Sequence, residues 1–240
     1  DMDRSLIEGS TPLHGTLAIS GSKNAVLPLM VAGLLTDQPV TLRGTPRLAD
    51  TRTLASVLRE LGAEVEEFGS GPGEGVRVHA HDLSSVRAPY ELVSKMRASF
   101  WVLGPLLARA RKAEVSLPGG CAIGTRPVDL YLSGLAKMGA DIAVEGGYVI
   151  AAARGGLKGA RIDLPFVSVG ATHVLMMAAT LAEGKTTITN AASEPEIVDV
   201  GRCLQQMGAK IDGLGRRTVH ITGVGQLGGA DHTVSRDRIE

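Results

Sequence analysis

The sequence predicts an inverted α/β fold: an inside-out α/β barrel built from three βαβαββ-type repeats, with apolar helices inside and strands outside. Three observations point there. Three segments follow one plan, with about 70 residues between equivalents, a spacing that suggests stacked supersecondary units. The first helix of each segment, Ala25–Leu35, Ala98–Leu107 and Ala171–Ala182, is apolar on most faces and so belongs in an interior. The second helix of each ends in a Gly-Ala pair, at Leu61-Gly62-Ala63, Met138-Gly139-Ala140 and Met207-Gly208-Ala209. Glycine just past the last periodic apolar residue is the usual left-handed helix stop.

Each unit then reads in the same order. After the apolar helix comes a short strand: Pro39-Val40-Thr41-Leu42, Glu114-Val115-Ser116-Leu117 and Thr186-Thr187-Ile188-Thr189. A loop follows, and then the second helix, with Asp50, Asp129 or Asp199 near its start, placed to cap free backbone N–H groups. A hairpin closes the unit; in the first, Glu64-Val65-Glu66 and Val76-Arg77-Val78-His79 flank Gly69-Ser70-Gly71-Pro72-Gly73. Those glycines have dinucleotide-like spacing, but no helix follows them, so they read as a turn.

With 240 residues, 44% of them hydrophobic, the chain can build one large core or two small ones. Aromatics are only 3%, so aliphatic side chains must fill it. Lys plus Arg and Asp plus Glu both number 25, which gives no reason to expect nucleic acid or an anionic membrane as partner. Cys121 and Cys203 do not form a disulfide framework. No signal peptide precedes the domain-like sequence, and the longest apolar runs fall short of the roughly 18 residues of a membrane span. A soluble, cytoplasmic protein is expected.

Chemistry is expected where one repeat departs from the others. The loop before the second helix reads Arg43–Asp50 in unit one and Asn190–Asp199 in unit three. In unit two it is longer and glycine-rich: Pro118-Gly119-Gly120-Cys121-Ala122-Ile123-Gly124-Thr125-Arg126-Pro127-Val128-Asp129. A cysteine between glycines, five residues before an arginine, fits a reactive thiol; the bland alternative is a small buried hydrophobe. Cys203 lies on an apolar periodicity and reads as core. Gly21-Ser22-Lys23-Asn24 opens the first apolar helix, and a lysine beside free helix-start N–H groups suits an anion; a simply solvated lysine is the other reading. Unit three offers Ser168-Val169-Gly170 at the matching place and unit two Lys95-Met96-Arg97, so three helix starts can face one anionic ligand. His79 and His81 share a strand face without a third ligand, and no metal is expected. His173 is expected to be a satisfied core residue, Trp101 to be packing, and Glu194 and Glu196 to be a polar rim or a substrate contact.

At these residues the sequence resembles a known family. Gly21-Ser22-Lys23-Asn24-Ala25, Met96-Arg97-Ala98-Ser99, the whole Pro118–Asp129 loop, Val167-Ser168-Val169-Gly170-Ala171-Thr172, Glu194–Asp199 and Asp237-Arg238-Ile239-Glu240 closely resemble the UDP-N-acetylglucosamine 1-carboxyvinyltransferases of the enolpyruvyl transferase family. The related shikimate-phosphate enolpyruvyl transferases lack the cysteine loop and carry Ser where Asn24 stands. The resemblance implies two similar inside-out barrels closing over substrate, of which this chain carries one. Residues 1–20 would be a strand segment of the second domain, 21–236 the barrel, and 237–240 the start of the crossover to that absent C-terminal domain.

The resemblance also implies the reaction: transfer of the enolpyruvyl group of phosphoenolpyruvate to the 3-hydroxyl of UDP-N-acetylglucosamine, with release of phosphate. This is the first committed step of peptidoglycan synthesis, and no cofactor is needed. By carry-over Cys121 is the general acid and can form a covalent phospholactoyl adduct. Lys23 and Arg126 would stabilise the phosphate, with Asn24 beside them. Arg97, the stretch Arg126, Pro127, Val128, Asp129 and Leu130, and Ser168, Val169 and Gly170 would hold the uridine and diphosphate. Phe166 stands where many relatives have Lys, which puts a lysine contact to the nucleotide sugar in doubt. The sugar-hydroxyl base belongs to the second domain. A non-catalytic UDP-sugar-binding module and a structural repeat protein are the competing readings.

Overall fold

The computed structural model describes residues 9, 12, 14–16, 18–70, 73–118 and 128–239. Unit one runs through α1 (Lys23–Ala32), a 3₁₀ turn (Gly33–Leu35), β1 (Val40–Arg43), α2 (Ala49–Glu60) and the hairpin β2 (Glu64–Phe68) and β3 (Gly75–His79). Unit two has β4 (Arg87–Ala88), α3 (Tyr90–Val93), a 3₁₀ segment (Arg97–Val102), α4 (Leu103–Ala110), β5 (Lys112–Ser116), α5 (Asp129–Lys137), β6 (Asp141–Glu145) and β7 (Tyr148–Ala152). Unit three has β8 (Arg161–Asp163), α6 (Val169–Ala179), β9 (Lys185–Thr189), α7 (Pro195–Gln206), β10 (Lys210–Asp212) and β11 (Thr218–Thr222), and β12 (Ala230–Thr233) follows.

The strands make three four-stranded sheets of one design: β4-β5-β7-β6, β8-β9-β11-β10 and β12-β1-β3-β2. In each, the first strand runs parallel to the second and a hairpin completes the sheet. For unit one that parallel strand comes from the far end of the chain, with Val40 opposite Ala230 and Arg43 opposite Thr233. The βαβαββ order is therefore closed in a circle.

The apolar helices lie inside, as their all-round apolarity requires. Every residue from Ala25 to Leu35 is buried, as is α4 up to Ala108 and α6 from Ala171 onward. The predicted α-helix from Ala98 begins instead as the 3₁₀ segment Arg97–Val102. Pro105 explains the difference. It has no N–H to bond the carbonyl of Trp101, and its ring crowds that carbonyl, so the chain winds tighter until α4 is under way.

The three helix stops are alike in detail. Gly62, Gly139 and Gly208 have φ of 101°, 90° and 103°. The next residue's N–H reaches back to the helix: Ala63 to Leu58 O at 3.0 Å, Ala140 to Leu135 O at 3.1 Å, Ala209 to Leu204 O at 2.9 Å. These are Schellman closures, each with a glycine at the one position that needs positive φ.

The three aspartates are not the caps. The N-caps of α2, α5 and α7 are Leu48, Val128 and Glu194. The entry to α2 is closed by the Thr51 hydroxyl, which accepts from Leu48 N–H at 3.1 Å. Asp199 sits well inside α7, because Glu194-Pro195 starts that helix earlier and Pro is pre-set for a first helical position. Its carboxylate ties α7 to the closing strand instead. His232 Nε2 donates to Oδ1 at 2.8 Å and Ser235 N–H to Oδ2 at 3.0 Å. The Gln206 amide, 3.2 Å from His232 Nδ1, leaves the imidazole proton on Nε2. Burial works to raise the Asp199 carboxyl, but the bonds from His232 and Ser235 outweigh it and hold the group below the usual carboxylate range. Arg238 adds a forked pair to Glu196, at 2.9 and 3.4 Å.

β2 and β3 pair antiparallel, with Phe68 opposite Gly75; Gly71 and Pro72 of the expected turn lie outside the described residues. Among the described residues no helix is long and apolar enough to cross a membrane.

Candidate active site

Cys121, Arg126 and Pro127 lie outside the described residues. The rest of the expected site sits at the starts of the core helices and of α5. Ser168 is the N-cap of α6: its Oγ accepts from Ala171 N–H at 3.2 Å and its carbonyl from Thr172 N–H at 3.0 Å. This leaves the N–H groups of Val169 and Gly170, the first two helical residues, without an intrahelical acceptor, at the positive end of the helix dipole. Backbone donors with no acidic residue in the first turn make this end suited to an anion.

Two other elements meet α6 here. Tyr131 of α5 and Trp101 of the 3₁₀ segment both come up against the Cα of Gly170. A methyl group there would collide with the Tyr131 hydroxyl and lie 3.1 Å from Trp101 Nε1. Tyr131 is 7% exposed, its ring edge-to-face with Phe100 at 5.9 Å. The Trp101 ring lies on His173 at 5.4 Å between centroids. The structure thus brings together the starts of units two and three. Val128, Asp129 and Leu130 form the first turn of α5, and Arg97 opens the 3₁₀ segment, half-buried.

Unit one contributes Lys23, the first residue of α1, and Asn24, both exposed. The Lys23 ammonium is 3.3 Å from Asp50 Oδ2 in the first turn of α2, with both side chains a little under half exposed. At that exposure the pair adds little stability; what it does is restrain a long side chain. Asp50 therefore has a use, though not the expected one of capping.

His173 is buried as expected but is not satisfied: neither ring nitrogen has a hydrogen-bond partner. Burial alone pushes its pKa down to about 3, so the ring is neutral. Trp101 packs against the core, as expected, with its indole nitrogen at the α6 start. Glu196 is buried against Arg238, while Glu194 caps α7 with one oxygen buried and unpartnered. Cys203 is core, its thiol pushed up to about 12 by burial and then by Asp199. His79 Nε2 is 3.0 Å from the Asp37 carbonyl. The described residues contain no group of three or more His, Cys, Asp and Glu placed to hold a metal. Phe166 and Val167, just before α6, are exposed apolar residues at the edge of the site.

Sequence reasoning passed over Tyr131 and the Lys23–Asp50 pair. Tyr131 falls on the apolar face of α5 and reads as core from its spacing. It stands one residue beyond the stretch singled out, and only its hydroxyl could have drawn notice.

Comparison with known proteins bears on the family and the fold. Residues 7–240 match the family model described as EPSP synthase (3-phosphoshikimate 1-carboxyvinyltransferase). A UDP-N-acetylglucosamine 1-carboxyvinyltransferase of Rhizobium meliloti (strain 1021) is 58% identical over all of this chain and 57% of its own length. One of Rhodopseudomonas palustris (strain BisB18) is 57% identical with the same coverage. The chain thus spans little more than half the length of these curated relatives. Among solved structures, the enolpyruvyl transferase NikO from Streptomyces tendae superposes with a TM-score of 0.80 at 24% identity, over 95% of this chain and 53% of that one. EPSP synthase from Acinetobacter baumannii gives 0.70 at 21%, over 92% and 49%. At those identities the two likenesses speak for the fold.

Proposed function

Because the chain belongs to the EPSP synthase (3-phosphoshikimate 1-carboxyvinyltransferase) family, we propose that it is one inside-out barrel of an enzyme that moves the enolpyruvyl group of phosphoenolpyruvate to the 3-hydroxyl of UDP-N-acetylglucosamine and releases phosphate. The identity along the whole chain to curated carboxyvinyltransferases that act on this nucleotide sugar carries the reading. It makes the protein a cytoplasmic enzyme of the first committed step of peptidoglycan synthesis, and so of cell-wall growth, cell shape and division.

The start of α6 supports a diphosphate site. Val169 and Gly170 supply unsatisfied N–H donors and a positive helix end, with Ser168 holding the turn and the first turn of α5 and Arg97 beside it. Lys23 supplies a cation for the phosphate of phosphoenolpyruvate, kept in place by Asp50, with Asn24 next to it. Cys121 is assigned the acid role. As its sulfur bonds to C2 of phosphoenolpyruvate, its proton goes to the C3 methylene, giving a phospholactoyl adduct with all atoms retained. Arg126 stabilises the same phosphate.

The sugar-hydroxyl base is assigned to a companion domain, to which residues 1–20 also belong. Where the chain enters and leaves the barrel, its two ends run side by side: Ser22 N–H donates to Ser235 O at 2.8 Å and Asp237 N–H to Ser20 O at 2.9 Å. Such a pair of strands suits a double connection between two domains.

The 240-residue chain alone is expected to bind the nucleotide sugar weakly and to turn over negligibly. Phosphate release at an ordinary enzyme rate from this chain would overturn that assignment. Thiol alkylation rates at Cys121, with and without UDP-N-acetylglucosamine, test the catalytic reading against a binding-only module. A reactive thiol that responds to the sugar nucleotide is expected; an ordinary cysteine, with no adduct in phosphoenolpyruvate, would leave binding alone.

A further inference from the structure

Tyr131 carries a hydroxyl that the fold does not use. The residue is more than nine-tenths buried, but its hydroxyl keeps contact with solvent, and no described residue hydrogen-bonds to it. Packing does not explain the hydroxyl, because the edge-to-face contact with Phe100 would serve a phenylalanine equally well. What the oxygen meets is the Cα of Gly170, beside the two unsatisfied amides of α6, and it gets that close only because Gly170 has no Cβ. Trp101 Nε1, a donor and never an acceptor, converges on the same Cα. Asp129, two residues before Tyr131 on α5, is about 200° round the helix from it and does not share its face.

The geometry points to Tyr131 as a further substrate-binding residue: its O–H, with the Trp101 indole N–H, completes a donor set with the Val169 and Gly170 amides that receives a phosphate of the nucleotide sugar. Tyr131 Oη and Trp101 Nε1 both lie close to where a Cβ on Gly170 would stand, at the helix start that carries the Val169 and Gly170 amides, and such a set of donors matches an acceptor-only group with several oxygens. The inference rests on the proposed UDP-sugar site and names two residues that the family resemblance did not supply.

Tyr131→Phe removes the hydroxyl and leaves the ring. Titration calorimetry on the 240-residue chain would compare UDP-N-acetylglucosamine with uridine, which shares the base and sugar but has no phosphate. The expected result is an affinity for UDP-N-acetylglucosamine about 10-fold weaker in Y131F, with uridine affinity unchanged. Trp101→Phe should weaken the nucleotide sugar in the same direction, again sparing uridine. Wild-type affinity for both ligands in Y131F would overturn the Tyr131 assignment and leave the site reading intact. Loss of both ligands together would also overturn it, since it would give Tyr131 a structural role. If the unaltered chain binds neither UDP-N-acetylglucosamine nor uridine, the site reading itself fails and takes this inference with it.

Discussion

His173 makes the stability of this protein fall in mild acid, and the size of the fall can be worked out. The imidazole is fully buried in α6, has no partner on either nitrogen and is neutral, with a pKa of about 3. In the unfolded chain it titrates near the free value of about 6.5. Below that pH the unfolded state binds a proton that the folded state refuses, so stability drops as pH falls from about 6.5 toward about 3 and levels off beneath. At pH 5 the unfolded state gains a factor of about 30, or roughly 2 kcal/mol relative to pH 7.5. Asp199, held below the usual carboxylate range, stabilises the fold above the unfolded carboxyl pKa and loses that contribution only at lower pH, so pH 5 isolates the histidine. His173→Leu, a change of similar volume with no polar atoms, should remove the pH 7.5 to 5 difference. It should also be at least as stable as the parent at pH 7.5, since it deletes two unsatisfied buried nitrogens. Urea unfolding of both proteins at the two pH values reads this directly. Parallel pH dependence in the two would refute the reasoning, because it would mean that His173 is protonated or solvated in the fold.

Three more predictions follow from single contacts. Alanine at Gly62, Gly139 or Gly208 must adopt positive φ and should cost about 1–2 kcal/mol each by thermal unfolding. Gly62→Ala should be the worst, since its methyl would also come within 2.6 Å of Ser84 N and 2.9 Å of Asp82 O, whereas the other two sites are open. Asp199→Ala strips the buried partner from His232 and Ser235 and should cost about 3 kcal/mol, with hydrogen exchange in β12 rising more than in β9; equal rises would detach the pair from barrel closure. Gly170→Ala should abolish UDP-N-acetylglucosamine binding more than it lowers the melting temperature, because its methyl pushes Tyr131 and Trp101 off the α6 start; undiminished binding would show that the α6 start is not the site.

Much of this architecture was readable because it depends on local rules. All-round apolarity put α1, α4 and α6 inside, and the Gly-Ala pairs marked the three stops because positive φ needs glycine whatever surrounds it. What escaped was non-local. β12, Ala230-Asp231-His232-Thr233, has no apolar alternation to announce a strand, and it is held by pairing with β1 and by His232 reaching Asp199 on α7. Asp199 looked like a cap only because the start of α7 was placed too late, past the Glu194-Pro195 signal. In the site, Lys23, Arg97 and Ser168-Val169-Gly170 stood out by residue type at helix starts. Tyr131 did not, because its value lies in what its oxygen meets across two other elements. The unsatisfied state of His173 is likewise a property of its neighbours, and no spacing encodes it.

The central claim is that the start of α6 receives the diphosphate of a UDP-sugar. Titrating UDP-N-acetylglucosamine into the 240-residue chain, beside Lys23→Ala as a variant outside α6 and Gly170→Ala within it, tests the claim most directly. One saturable site is expected, barely changed by Lys23→Ala, whose cation serves the other substrate, and lost in Gly170→Ala. No saturable binding, or binding that Gly170→Ala leaves untouched, would contradict it.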